Sequence, residues 1–133
     1  MIREFIDYIC SLFSQPKVYL VVPVPMERVI QEIVNVFPSS FDDGSLAPII
    51  LRLAWHCCAT YDVVTDTGGS NGATMRFQPE LTDEGNTGLF IAMLALSQVK
   101  VKYPQVSYAD LWTLAGKVAV EYMGRPRNYV EEW

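Results

Sequence analysis

Arg52-Leu53-Ala54-Trp55-His56 is the stretch from which the rest of this 133-residue chain can be read. Arg52 and His56 are four residues apart and Trp55 follows Arg52 by three, so on a helix all three lie on or near one face. The preceding Ala47-Pro48-Ile49-Ile50-Leu51 starts like a helix, because proline is tolerated in a first turn whose N–H groups lack partners. A cation, an indole and an imidazole therefore project together from an apolar helix. His56 is the only histidine in the chain. Burying an arginine is costly unless something nearby needs its charge, which marks a candidate site. By spacing alone, a hydrogen-bonded core histidine and an ion-paired arginine remain open alternatives.

Composition narrows the class. The length suits one compact domain. Half the residues are hydrophobic and only 19% are charged, so some apolar surface is expected to face a partner or another part of a fold. Net charge is −5 with no basic run, which argues against nucleic acid as a partner. Cys10, Cys57 and Cys58 are odd in number, and adjacent cysteines pair poorly, so they read as reduced thiols of an intracellular compartment. No CxxC or His/Cys cluster points to a metal, and none is expected. The longest apolar run, Val18 to Met26, is interrupted by Pro23 and Pro25 and falls far short of the roughly 20 residues a spanning helix needs. Glu4 and Asp7 break up the start as a secretory signal or mitochondrial presequence.

The chain divides into two expected regions. In residues 1–25, Ile2, Phe5, Ile6, Ile9 and Phe13 fall at helical spacing, followed by a proline-punctuated extended connector. So short an amphipathic helix needs a surface, which its own domain, a protein partner or a membrane surface would supply. Residues 26–133 read as helical. Val29, Ile30, Ile33, Val34 and Phe37 give one helix, ended by Pro38 and the Ser39–Gly44 run. A central helix over 46–60 follows. Asp66–Gly72 is a loop dense in residues that tolerate positive φ. It lacks the Gly-Lys-Ser/Thr of a phosphate cradle. A helix is expected to open at Asn86 and run to Lys102 with Leu89, Met93, Leu96 and Val99 inward. Ser107 is a candidate N-cap, with Asp110 three residues on, for a last helix reaching Met123 and ending at Gly124.

Ala47-Pro48 through Trp55-His56, then Ala59-Thr60-Tyr61-Asp62, resembles the distal-side helix of plant/fungal-type haem peroxidases. Gly68-Gly69-Ser70-Asn71-Gly72-Ala73-Thr74-Met75-Arg76-Phe77, Asn86-Thr87-Gly88-Leu89, Tyr103-Pro104, Ser107 through Gly116, Met123-Gly124 and Pro126 continue the resemblance over about residues 46–126. It is nearest to the class I members, ascorbate peroxidase and cytochrome c peroxidase. It implies an all-α fold, the distal half-domain of such a peroxidase; residues 1–25 fall outside the match and, from their amphipathic spacing, are expected to be an additional docking segment.

The resemblance also implies roles. Cleaving a peroxide O–O bond at haem b needs a base to move a proton and a cation to stabilise the departing oxygen. His56 corresponds to the distal acid–base, Arg52 to the stabilising cation, Asn86 to the asparagine whose carbonyl accepts the histidine Nδ1–H, and Trp55 to the indole over the haem plane. Trp55, Arg52 and His56 would thus contact haem. Secreted plant relatives carry a calcium-ligating aspartate where this chain has Cys57, so calcium is not implied.

Other positions depart from the family. Gly44 stands where ascorbate peroxidases have a lysine, Gln105 replaces an aromatic residue, and Lys117 sits at a normally apolar position. The family's iron is held by a proximal histidine from the second half of its fold, and no second histidine is present here. Two readings follow. In one, a second peroxidase-like chain completes the haem pocket and the pair reduces hydrogen peroxide, the chain alone being inactive. In the other, the chain is a degenerate accessory subunit of a larger assembly. Met1 and the unmatched first 25 residues favour a natural short chain over a trimmed piece. The expected location is an organelle, mitochondrion ahead of chloroplast, or the cytosol.

Overall fold

The computed structural model describes residues 23–38 and 44–124. The expected amphipathic segment, Cys10, most of the connector and the stretch after Gly124 lie outside the described residues. Among the described residues four α-helices carry the fold: α1 (Met26–Val36), α2 (Ala47–Cys58), α3 (Leu89–Lys102) and α4 (Tyr108–Tyr122). Short 3-10 turns at Asn71–Arg76, Glu80–Thr82 and Glu84–Asn86 bridge α2 to α3. Among the described residues there is no strand, only isolated bridges at Pro38–Ser45 and Asp62–Thr67. None of the described helices is long and apolar enough to cross a membrane.

Each helix begins and ends for a local reason. Pro25 leads into α1, its carbonyl accepting from the N–H groups of Arg28 and Val29. Pro48 sits in the first turn of α2, where Ser45 Oγ also accepts from the Ala47 N–H at 3.1 Å. Ser107 caps α4 as expected, its Oγ accepting from the Asp110 N–H at 3.0 Å. The other expected start was placed too early. Asn86 closes a 3-10 turn, and α3 begins only at Leu89. Gly88, at φ +85°, interrupts any helix through that point, because left-handed backbone cannot join a right-handed helix.

The core is where the apolar stripes meet. Val29, Ile33 and Phe37 of α1 and the turn after it are fully buried, as are Ile50 and Leu53 of α2. On α3, Leu89, Leu96 and Val99 face inward as expected, but Ala92 rather than Met93 completes the buried set. Helices α2 and α4 pack most closely, at Ala54 and Gly116. A Cβ on Gly116 would fall well inside 3.0 Å of the Ala54 Cβ. The missing side chain lets the helix backbones approach, and this contact fixes the back of the helix that carries Arg52 and His56. Trp112 fills the centre of α4, and its Nε1 is the one buried side-chain polar atom without a partner among the described residues. Lys117 is exposed, so a charge at that position costs little here.

Candidate active site

The α2 face opposite the core behaves differently from its buried stripe. Arg52 is exposed, Trp55 is 66% exposed, and His56 is half-buried. The cost of burying a cation therefore does not arise. Arg52 instead reaches the turn before α3, its Nη1 donating to the Thr87 carbonyl at 2.9 Å and its Nη2 to the Gly85 carbonyl at 2.7 Å.

One helical turn further on, His56 Nδ1 lies 2.9 Å from Asn86 Oδ1. The other end of that amide is committed, because Asn86 Nδ2 donates to the Glu80 carbonyl at 2.9 Å. A side-chain amide has one accepting end and one donating end, so the Glu80 bond turns Oδ1 toward the imidazole. The proton between the two residues must then belong to the histidine. Nδ1 carries it, and in the neutral ring Nε2 is left with its lone pair. Glu80 is itself held, its Oε2 accepting from Thr74 Oγ1 at 3.0 Å.

Trp55, His56, Met75, Glu80, Gly85 and Asn86 line an open cavity of about 360 Å³. Arg52 is not part of that lining. A larger cleft of about 510 Å³ lies between α1 and α3. Its charged pair is already matched, with Lys102 Nζ 2.6 Å from Glu32 Oε2, and it presents no nucleophile or imidazole. The smaller cavity is the one that holds the imidazole.

Behind His56, Cys57 is buried and Cys58 exposed, both as free thiols with their sulfurs 3.8 Å apart. Burial, reinforced by Cys58, pushes the Cys57 thiol up to about 12. Cys57 Sγ donates instead to the Ala54 carbonyl at 3.2 Å. In the loop beyond α2, Asp66, Gly68, Gly69 and Gly72 all have positive φ, as their residue types led us to expect. The Gly69 N–H donates to Thr60 Oγ1 at 3.0 Å, tying this loop to the end of the helix.

All four candidate residues thus meet around one turn, although Arg52 engages backbone rather than open space. Sequence reasoning missed the carbonyls of Glu80, Gly85 and Thr87. Backbone acceptors exist at every residue, so no residue type signals them.

A family profile described as peroxidase matches residues 27–131. A Candida albicans protein named as a heme-binding peroxidase is 72% identical over 101 residues, 75% of this chain and 35% of its own length. A Debaryomyces hansenii protein of the same name is 58% identical over 103 residues, 77% of this chain and 24% of its own. A mitochondrial cytochrome c peroxidase of Aspergillus fumigatus is 53% identical over 88 residues, 66% of this chain and 24% of its own. The chain therefore spans roughly a quarter to a third of the length of these relatives.

Proposed function

Since this chain belongs to the peroxidase family, we propose that it supplies the distal side of a haem peroxidase reducing hydrogen peroxide, the proximal side coming from elsewhere. The observation that carries this reading is the fixed amide of Asn86, which holds the proton of His56 on Nδ1 and leaves Nε2 basic. A neutral imidazole with one free nitrogen takes a proton from a bound peroxide near neutral pH and returns it to the oxygen that leaves. A guanidinium keeps its charge at every relevant pH, and Arg52 brings one to this turn. Two of its five N–H donors go to carbonyls, and the others remain to stabilise negative charge developing on the leaving oxygen.

The residues fit haem on this one side. The exposed indole of Trp55 offers a flat apolar surface at the mouth of a cavity whose polar groups are a base and an amide. Trp55, Arg52 and His56 are the side chains of this chain that would lie against haem. Haem, when bound, supplies the redox-active iron at which the O–O bond breaks. Haem would need a histidine from outside this sequence to hold its iron, because the only histidine here is the one proposed as the distal base. Completion by a peroxidase-like chain, or by further sequence of the same protein, is therefore part of the proposal. The names of the cytochrome c peroxidase relatives support a mitochondrial location as part of this reading.

A second reading has its own support. Phe90 and Leu94 on α3 are 61% and 59% exposed, an apolar strip suited to a structural subunit buried in an assembly. Complementation separates the two. The chain is mixed with haemin and the remaining two-thirds of the Candida albicans relative, expressed separately. A Soret band and peroxide turnover in the mixture support the distal-half reading. His56→Leu should then lower turnover about 10²–10⁴-fold while haem stays bound. A stable complex that takes up no haem favours the structural subunit and sinks the enzymatic reading.

A further inference from the structure

We infer that Arg52 is a positioning residue for His56, acting through the turn that carries Asn86. The bonds of Arg52 bracket that residue, one on the carbonyl before it at Gly85 and one on the carbonyl after it at Thr87. The side chain of Asn86 is meanwhile held between Glu80 and His56. One helix, α2, thus grips a three-residue stretch twice, by its backbone from Arg52 and by its side chain from His56.

The grip has a physical purpose. The turn lies on the surface, with Gly85 and Thr87 exposed and a positive-φ glycine directly after it. Internally it is held by the Asn86 N–H to the Asp83 carbonyl at 3.0 Å and the Thr87 N–H to the Glu84 carbonyl at 3.2 Å. Such short exposed turns open easily. A guanidinium fork meets two acceptors at once with charge-assisted bonds, which a lysine ammonium does not reproduce in the same planar geometry. Holding both carbonyls limits the rotation of the Asn86 backbone. It thereby keeps Oδ1 within reach of Nδ1, so the tautomer of His56 depends on a cation that never touches the ring.

The inference rests on the peroxidase reading only for its consequence in catalysis; the clamp itself is a property of this chain. Because His56 is the sole histidine, ¹⁵N–¹H correlation spectra of the full chain report one imidazole without assignment. With spectra recorded at a pH where the ring carries no charge, its two nitrogens reveal the tautomer. The wild type should show the Nδ1–H form alone. Asn86→Ala should give a mixture, with the two nitrogen resonances moving toward each other. Arg52→Ala should move them the same way by at least half as much, and Arg52→Lys by an intermediate amount. The double variant Arg52→Ala/Asn86→Ala should match Asn86→Ala alone.

A wild-type tautomer in Arg52→Ala overturns the inference. So does a double variant whose change is the sum of the two single ones. Should Arg52→Ala fail to fold, Arg52→Lys carries the test, since a tautomer unchanged in a folded Arg52→Lys refutes the need for the fork. Haem uptake is scored separately by complementation, so failure of the peroxidase reading leaves this result intact and the reverse.

Discussion

Gly116→Ala puts the close contact of α2 and α4 to the test. A Cβ at position 116 would meet the Cβ of Ala54 well inside 3.0 Å. Neither atom can rotate away, because a Cβ is fixed by its backbone. Helices α2 and α4 must therefore separate by the shortfall, at a contact where Gly116 is buried and Ala54 half-buried. Overpacking of this kind costs about 1–3 kcal/mol, and the rigidity of both partners puts it near about 3. Alanine regains about 1 kcal/mol of helix propensity over glycine. The net expectation is about 2 kcal/mol of destabilisation. With a urea slope of about 2 kcal/mol per molar, the midpoint followed by far-UV circular dichroism should fall by about 1 M. The reciprocal pair Ala54→Gly/Gly116→Ala removes the clash and exchanges one propensity term for the other. Its midpoint should return to within about 0.5 M of wild type, giving a coupling that only direct contact produces. A neutral or stabilising Gly116→Ala would refute the close approach of the two helices.

Three further outcomes follow from individual contacts. Ser107→Ala should cost about 1 kcal/mol in the same urea assay, since the Asp110 N–H loses its acceptor at the start of α4. Lys102→Ala should cost less than about 1 kcal/mol and weaken at high salt, because Lys102 is exposed although its partner Glu32 is half-buried; a larger loss would mean the pair is shielded. Of the two adjacent thiols, iodoacetamide at pH 8 should label Cys58 in the native chain and both in urea, read by peptide mapping. Burial raises Cys57 from 9.0 to about 12, so the folded state holds that proton more tightly than the unfolded one. Its contribution to stability is complete below about pH 9 and is lost as pH rises toward about 12. Cys57→Ala should flatten the decline of stability over that interval, and an unchanged slope would place the thiol in a wetter environment.

The helical class and the order of the described helices were legible in the sequence, which also offered Arg52, Trp55, His56 and Asn86 as candidates for one site. Apolar spacing, prolines and caps are local signals, and each helix obeys them: Pro48 in a first turn, Ser107 at a cap, Gly124 just past α4. The start of α3 was not, because the sequence does not say whether Gly88 bends the chain out of a helix or merely weakens one. The packing of Ala92 rather than Met93 was hidden for a related reason, since a small residue faces inward only where a neighbour comes close.

The sequence alone also determined which chemistry the α2 face can carry, because a cation, an indole and an imidazole at i, i+3 and i+4 share a face on any helix. Tertiary structure decided how that chemistry is set. The proton of His56 is placed by an amide 30 residues away, the amide by the Glu80 carbonyl, and its turn by the fork of Arg52. The acceptors in this chain are largely backbone carbonyls. Every residue has one, and only the fold determines which of them comes to lie beside a donor.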